Sequence, residues 1–253
     1  MCPRSVGAYD RAVPGRRFVF TAHALALWTA AAAGAAQDGR PAFDAGRLAA
    51  GTFRYRTLVD GKEAGQSRIR IRKTETGDFE FTNVVEGAFT QSWESRATQA
   101  LTPLSAKLTT GSGPEARVVF DLSYAAGRVT GFASSVASGR RAVDDPIAAD
   151  TVDQRIDWAA VMSVPDLAAD GRFEFHVYDP GTGLSRVTAR VAGFESLSVP
   201  AGSFETARIE YRIEKRRGAE TYTVFVRREA PRAMVKELFP NGALTELVEE
   251  SGS

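Results

Sequence analysis

Residues 207–214 read Ala207-Arg208-Ile209-Glu210-Tyr211-Arg212-Ile213-Glu214, with apolar and charged side chains alternating at every step. A strand sends successive side chains to opposite faces. This period of two therefore buries Ala207, Ile209, Tyr211 and Ile213 together and leaves Arg208, Glu210, Arg212 and Glu214 in water. A helix would scatter the same four apolar residues around its axis. The stretch predicts an antiparallel strand with one face on a core.

The same rhythm extends in both directions. Upstream, Val187, Ala189 and Val191 are in phase within 186–194, and Phe173, Phe175 and Val177 alternate with Arg172, Glu174 and His176. Downstream, 221–228, 233–239 and 243–249 are further strand candidates, the last two joined by an Asn241-Gly242 turn. Near the other end, Phe53, Tyr55, Thr57 and Val59 oppose Arg54 and Arg56. Past Asp60-Gly61, Ile69 and Ile71 alternate with Arg68, Arg70 and Arg72, then Phe79, Phe81 and Val85 with Glu80 and Glu86. Residues 104–110, 117–124 and 128–136 continue the series, and 88–100, with Phe89 and Trp93, is open between strand and loop.

With about a dozen strands and no βαβ alternation, the expected class is all-β, mainly antiparallel. The architecture expected is a barrel or half-barrel. One short covering helix is predicted from Thr151: Thr151 and Gln154 fit a capping box, Val152, Ile156, Ala159 and Ala160 recur at helical spacing, and Pro165 stops the run. Residues 137–150 read as a polar loop or junction, where a division into two lobes would fall.

The N-terminus carries a different signal. Arg16-Arg17 precede 19 uncharged residues, Phe18 to Ala36, that end in Ala33-Gly34-Ala35-Ala36. A basic lead, an apolar run and a small-residue exit predict a cleaved signal peptide over 1–36 and a periplasmic protein; the alternative is a membrane anchor over 18–36. Cys2 lies before the run, so no lipoprotein acceptor thiol follows it. Residues 37–50 form a lead segment and 51–253 a single antiparallel β domain.

Of 253 residues, 25% are charged and 43% hydrophobic, with a net charge of +1. Removing 1–36 takes away four Arg and one Asp and leaves 28 basic and 30 acidic side chains, a formal −2. Nucleic-acid binding needs a clustered positive surface, so it is not expected. What remains has no Cys and a single His, His176, which excludes disulfides and most familiar catalytic centres.

The segment Val199-Pro200-Ala201-Gly202-Ser203-Phe204-Glu205-Thr206 enters the long strand quoted above. It follows an Asp-containing helix (153–163) and a short-loop hairpin, and the chain closes through Pro240-Asn241-Gly242. This order resembles an exported bacterial β-rich family known as domain of unknown function 3108, mainly over residues 150–250. The resemblance implies an envelope location and a barrel-like antiparallel fold, and it transfers no active-site residue. Its turn has a mechanical reading: Pro fixes φ, Gly permits the reversal and Phe204 re-enters the core.

Candidate chemistry is sparse. His176, flanked on its strand face by Glu174 and Tyr178, reads as a solvent-facing strand residue, and no G-x-S-x-G elbow accompanies it. Asp144-Asp145 and Glu249-Glu250 are adjacent in sequence, so on strands their members point apart. A carboxylate-dependent hydrolase is the lesser reading. No catalytic residue, metal site or cofactor is expected. Arg54, Arg68 and Arg70 are the candidates for an anionic group, with Glu80 and Glu86 as cross-strand neutralising partners. Trp93 and Trp158 are the candidates for the mouth of an apolar cavity. The function expected is a non-enzymatic binding or carrier protein for an apolar or amphiphilic ligand such as a lipid. The alternative is an envelope structural or interaction protein with a packed core and a protein partner. Membrane contact is expected only through the export signal.

Overall fold

The computed structural model describes residues 41–87, 90–135, 139–216 and 218–252. The expected signal peptide 1–36, the anchor reading of 18–36, the start of the lead segment and Phe89 lie outside the described residues. Among the described residues, fifteen strands form one sheet. The first eight are β1 (Gly51–Val59), β2 (Lys62–Lys73), β3 (Phe79–Gly87), β4 (Gln91–Ala97), β5 (Pro103–Thr110), β6 (Arg117–Ala125), β7 (Arg128–Ser135) and β8 (Gly139–Pro146). After them come β9 (Thr151–Asp153), the helix α1 (Asp157–Ser163), β10 (Arg172–Asp179), β11 (Gly183–Val199), β12 (Gly202–Lys215), β13 (Gly218–Arg227), β14 (Met234–Leu238) and β15 (Leu244–Gly252).

The order across the sheet is β8 through β1, then β15 back through β9. The first and last strands thus meet in the middle, with a meander running outward on each side. Every pairing is antiparallel except β9 with β10. Strand β12 behaves as its alternation predicts: Ala207, Ile209, Tyr211 and Ile213 are all buried, and Ile209 stands between Val191 and Val224 on its neighbours.

The sheet curls, and its two ends overlap rather than joining by backbone hydrogen bonds. On β10, Phe175 and Val177 point into the main core, while Tyr178 points the other way and is also buried. Its cover comes from the far end of the sheet: Tyr178 packs with Phe120, Leu122, Val129 and Val143 of β6–β8 in a second, smaller core. The Tyr178 ring meets Tyr124 edge-on, its hydroxyl donates to Asp145 at 2.6 Å, and Arg141 donates to the Pro180 carbonyl. The face that lines the interior on β1–β4 therefore continues along the meander and becomes the wrapping of β10. A sheet rolled past itself covers the β9–β10 end without needing a closed ladder, while β8 keeps a largely exposed edge.

Two local expectations need correction. Residues 139–146 form strand β8, not a loop or junction. Their polar composition reflects an edge strand on which Val143 is the buried side chain. Thr151 does not cap a helix. It pairs with His176 in β9, its hydroxyl has no partner, and Asp153 instead accepts from Arg155 N ahead of a 3-10 turn at Gln154–Ile156. The expected short helix is present as α1, seven residues long with all seven buried against the sheet. Its C-terminal carbonyls, Met162 and Val164, receive the guanidinium of the buried Arg232. The described part of the lead segment is also anchored, with Phe43 edge-on to Phe175 at 5.2 Å.

Candidate functional site

Cross-strand register builds one end of the interior. Tyr55 stands opposite Ser67, which stands opposite Val85 and then Gln91; one row deeper run Phe53, Ile69, Asn83 and Trp93. From the other meander come Tyr211, Tyr222 and Glu237, and from the start of α1 come Asp157 and Trp158. All of these except Phe53 and Tyr55 line a cavity of about 470 Å³, open to one side, between the sheet and the helix. Two other hollows of similar volume, about 450 and 480 Å³, bring no buried carboxylate to their walls. Chemistry concentrates in the interior cavity.

Asp157 and Glu237 are its unusual members, each 7% exposed. The Asp157 carboxylate accepts from Trp158 N at 2.7 Å, and burial pushes its pKa up to about 7. Glu237 accepts from the Tyr211 hydroxyl at 3.0 Å. Burial, reinforced by the charge of Asp157, raises the Glu237 pKa to about 8. Neither acid has an ion-pair partner among the described residues. The cations nearby are engaged elsewhere: Arg155 with Asp179, and Lys215 with Glu220 at 2.5 Å. A carboxyl in such a place avoids the cost of a buried charge by keeping its proton.

Aromatic rings complete the walls. Tyr211 and Tyr222 stack with centroids 5.1 Å apart, Phe239 meets Tyr222 edge-on, and Trp158 meets Phe81 edge-on at 6.2 Å. The Trp158 indole donates to the Arg155 carbonyl at 2.9 Å, which fixes its orientation. Tyr55, just below, donates to the Met234 carbonyl at 3.0 Å. The Asn83 Oδ1 is buried against the cavity and receives no donor.

Trp93 and Trp158, the tryptophans singled out from the sequence, both line this cavity. Arg54, Arg68 and Arg70 stand on the opposite, outward face of the sheet. Arg54 faces Arg68 across β1 and β2 and is held by Glu249 at 2.9 Å, and both arginines border a shallow hollow of about 180 Å³. Arg70 faces Thr52 and Thr82. Of the two expected neutralising acids, Glu80 pairs with Arg72, whereas Glu86 faces Gln66.

His176 is not simply solvent-facing. It is half-buried and its Nδ1 lies 2.8 Å from Asp150 Oδ1, on a strand face that also carries the buried Tyr178. The adjacent acids do point apart: Asp144 binds Arg128 while Asp145 binds Tyr178, and Glu249 binds Arg54 while Glu250 binds Arg227.

Asp157, Glu237, Tyr211 and Tyr222 escaped the sequence reading as a site. One signal was present for Glu237. The phase Ala233, Val235, Glu237, Phe239 is apolar except at that residue, and an acid in a buried phase marks either a paired charge or a raised pKa.

A family model described as Protein of unknown function (DUF3108) matches residues 49–247. No curated protein matches the chain. Among solved structures, the β-barrel-like protein of domain of unknown function DUF1849 from Brucella abortus is similar at a TM-score of 0.52 and 9% identity, over 81% of this chain and 98% of that one. That likeness concerns the fold alone and agrees with a barrel-like sheet. A protein from Bacteroides fragilis, described as a candidate exported protein with a YmcC-like fold, aligns at a TM-score of 0.37 and 10% identity over 83% of this chain and 99% of that one. A candidate lipoprotein from Parabacteroides distasonis aligns at 0.39 and 14% over 85% and 100%. Among the described residues no helix is long and apolar enough to cross a membrane.

Proposed function

The chain belongs to the DUF3108 family of proteins of unknown function, and on that premise we propose that it is a non-enzymatic binding or carrier protein for an amphiphilic ligand held between its sheet and α1. The cavity of about 470 Å³, with Trp93 and Trp158 in its walls, carries this reading. Its size falls within the range of small-molecule sites, which are largely apolar with a few placed polar groups. Ile69, Met234 and the two indoles supply apolar wall, while Thr57, Ser67 and Gln91 supply polar groups. An apolar body with a polar head matches that lining.

We place its action in the periplasm, after removal of residues 1–36. Support comes from Arg16-Arg17, the uncharged run and the Ala33–Ala36 exit. N-terminal sequencing of the protein recovered from its envelope checks this; a start upstream of the run rejects cleavage.

For the ligand, the test is solvent extraction of the natively purified protein followed by mass spectrometry. A stoichiometric amphiphile is expected. A ligand-free protein whose tryptophan emission ignores added amphiphiles would sink the carrier reading. It would leave the interaction reading, favoured by the largely exposed edge strand β8, which has backbone groups free to pair.

A further inference from the structure

We infer that the polar head recognised by this cavity is a protonated amine, so that the ligand is a cationic amphiphile. The inference rests on the binding reading above and sharpens it to one chemical class.

Thr57, Ser67, Gln91 and Thr245 can both donate and accept in the cavity wall, and the buried acids and Asn83 add acceptors that the described residues leave under-used. Among the described residues, Asp157 receives the amide of the next residue and Glu237 receives the Tyr211 hydroxyl. Asn83 Oδ1, buried in the same wall, receives nothing. With their protons released, the two acids join Asn83 as three acceptors, and among the described residues the nearby cations Arg155 and Lys215 are held by Asp179 and Glu220. An ammonium group carries three donors and no acceptor, which is the complement of that set.

The rings point to the same answer by a different route. Tyr211, Tyr222, Phe239 and Trp158 present π systems around the acids. Ring faces attract cations, most strongly where water is excluded. A carboxylate head would meet two acids and the negative ring faces. A hydroxyl head could use the acceptors but would gain nothing from charge.

Among the described residues neither acid has an ion-pair partner, and burial raises the proton affinity of both. A bound ammonium would take the place of those protons. The titratable groups facing Asp157 are Arg155, Asp153, Lys215, Glu237, Tyr211 and Tyr222, and those facing Glu237 are Asp157, Tyr211, Tyr222 and Tyr55.

The test compares three probes with the same eight-carbon chain: octylammonium, octanol and octanoate. Each is titrated into the purified protein and followed by tryptophan emission and calorimetry. Octylammonium is expected to bind about tenfold or more tighter than octanol, a difference of about 1.4 kcal/mol, with octanoate weakest. Glu237→Gln, which keeps an acceptor for Tyr211, should weaken octylammonium more than octanol and bring the two to within about twofold of each other. Should that variant not fold, Asp157→Asn serves the same comparison. Octanol or octanoate binding as tightly as octylammonium to the unaltered protein overturns the amine assignment while the cavity remains a binding site. No binding by any of the three overturns the binding reading itself.

Discussion

The Tyr124 hydroxyl donates to Asp153 Oδ2 across 2.6 Å, and this bond fastens β6 to β9, strands that lie near opposite ends of the sheet. Asp153 also accepts from Ser95 on β4 and from Arg155 N, so one buried carboxyl collects three donors. Because the rolled sheet has no backbone ladder between its ends, such side-chain contacts and the second core hold the overlap.

Tyr124→Phe should therefore destabilise the fold beyond the loss of one surface bond. The change removes a donor from a buried acid and costs about 1–3 kcal/mol. Urea unfolding would show a lower midpoint at an unchanged slope. Tyr178→Phe, whose partner Asp145 is only half-buried, should cost less. Equal effects, or none, would argue that the overlap is held by the apolar contacts alone.

Stability should fall as pH rises through neutrality. Asp157 and Glu237 hold protons in the folded state up to about 7 and about 8, whereas in the unfolded chain they release them near 4. Between those limits the native state binds more protons than the unfolded one, so the stability these groups contribute is present below pH 4 and lost toward pH 8. Asp153, also raised by burial, adds to the same trend. Asp179 and Glu220 shift downward and act only below their usual carboxylate range, outside this window. The slope has an upper limit of about 1.4 kcal/mol per pH unit for each group. Melting temperatures between pH 5 and 8 should decline, and Glu237→Gln should flatten the decline. A profile that is level for the unaltered protein would contradict the protonated state of the pair.

The outer arginines yield a prediction of opposite sign. Arg54 and Arg68 are direct cross-strand neighbours, a like-charge pair that costs some stability even with Glu249 beside Arg54. Arg68→Glu converts it to an attractive pair and should stabilise by about 0.2–1 kcal/mol. Binding to anionic vesicles, compared before and after the change, reads whether this face has a use that the repulsion serves. Lower thermal stability in the variant would show that Arg68 has another role in the fold.

Strand identity was legible wherever a single face is buried, as in β12, where Ile209 and Tyr211 alternate with Glu210 and Arg212. It was less legible where the inward residues are themselves polar. In β4, Ser95 points inward to reach Asp153, and in β8 only Val143 is buried, so neither stretch shows a clean period of two. Thr151 looked like a helix cap because its local spacing fits one, but pairing with His176 across to β10 draws it into a strand. The two tryptophans were visible as candidates. The acids were not, because Asp157 reaches the cavity on a buried helix and Glu237 arrives from a distant strand. Only the roll of the sheet brings them to one space.

Arg232 connects that space to the rest of the fold. Its guanidinium donates to the Met162 and Val164 carbonyls at 2.8 and 2.5 Å, at the end of α1 where carbonyls lack helical partners. Its own backbone is tied to Arg47 and Ala49 of the lead segment. Asp157 and Trp158 sit on the same helix, so whatever fixes its C-terminal end also fixes the cavity wall. Arg232→Met keeps much of the apolar stem but removes both charge-assisted bonds, and about 2–4 kcal/mol should be lost. The informative readout is paired: a lower melting temperature together with a red-shifted tryptophan emission, as Trp158 loses its packing against Phe81. A lower melting temperature with unchanged emission would mean that Arg232 stabilises the fold without positioning the helix. An unchanged melting temperature would mean that the apolar core around α1 holds it unaided.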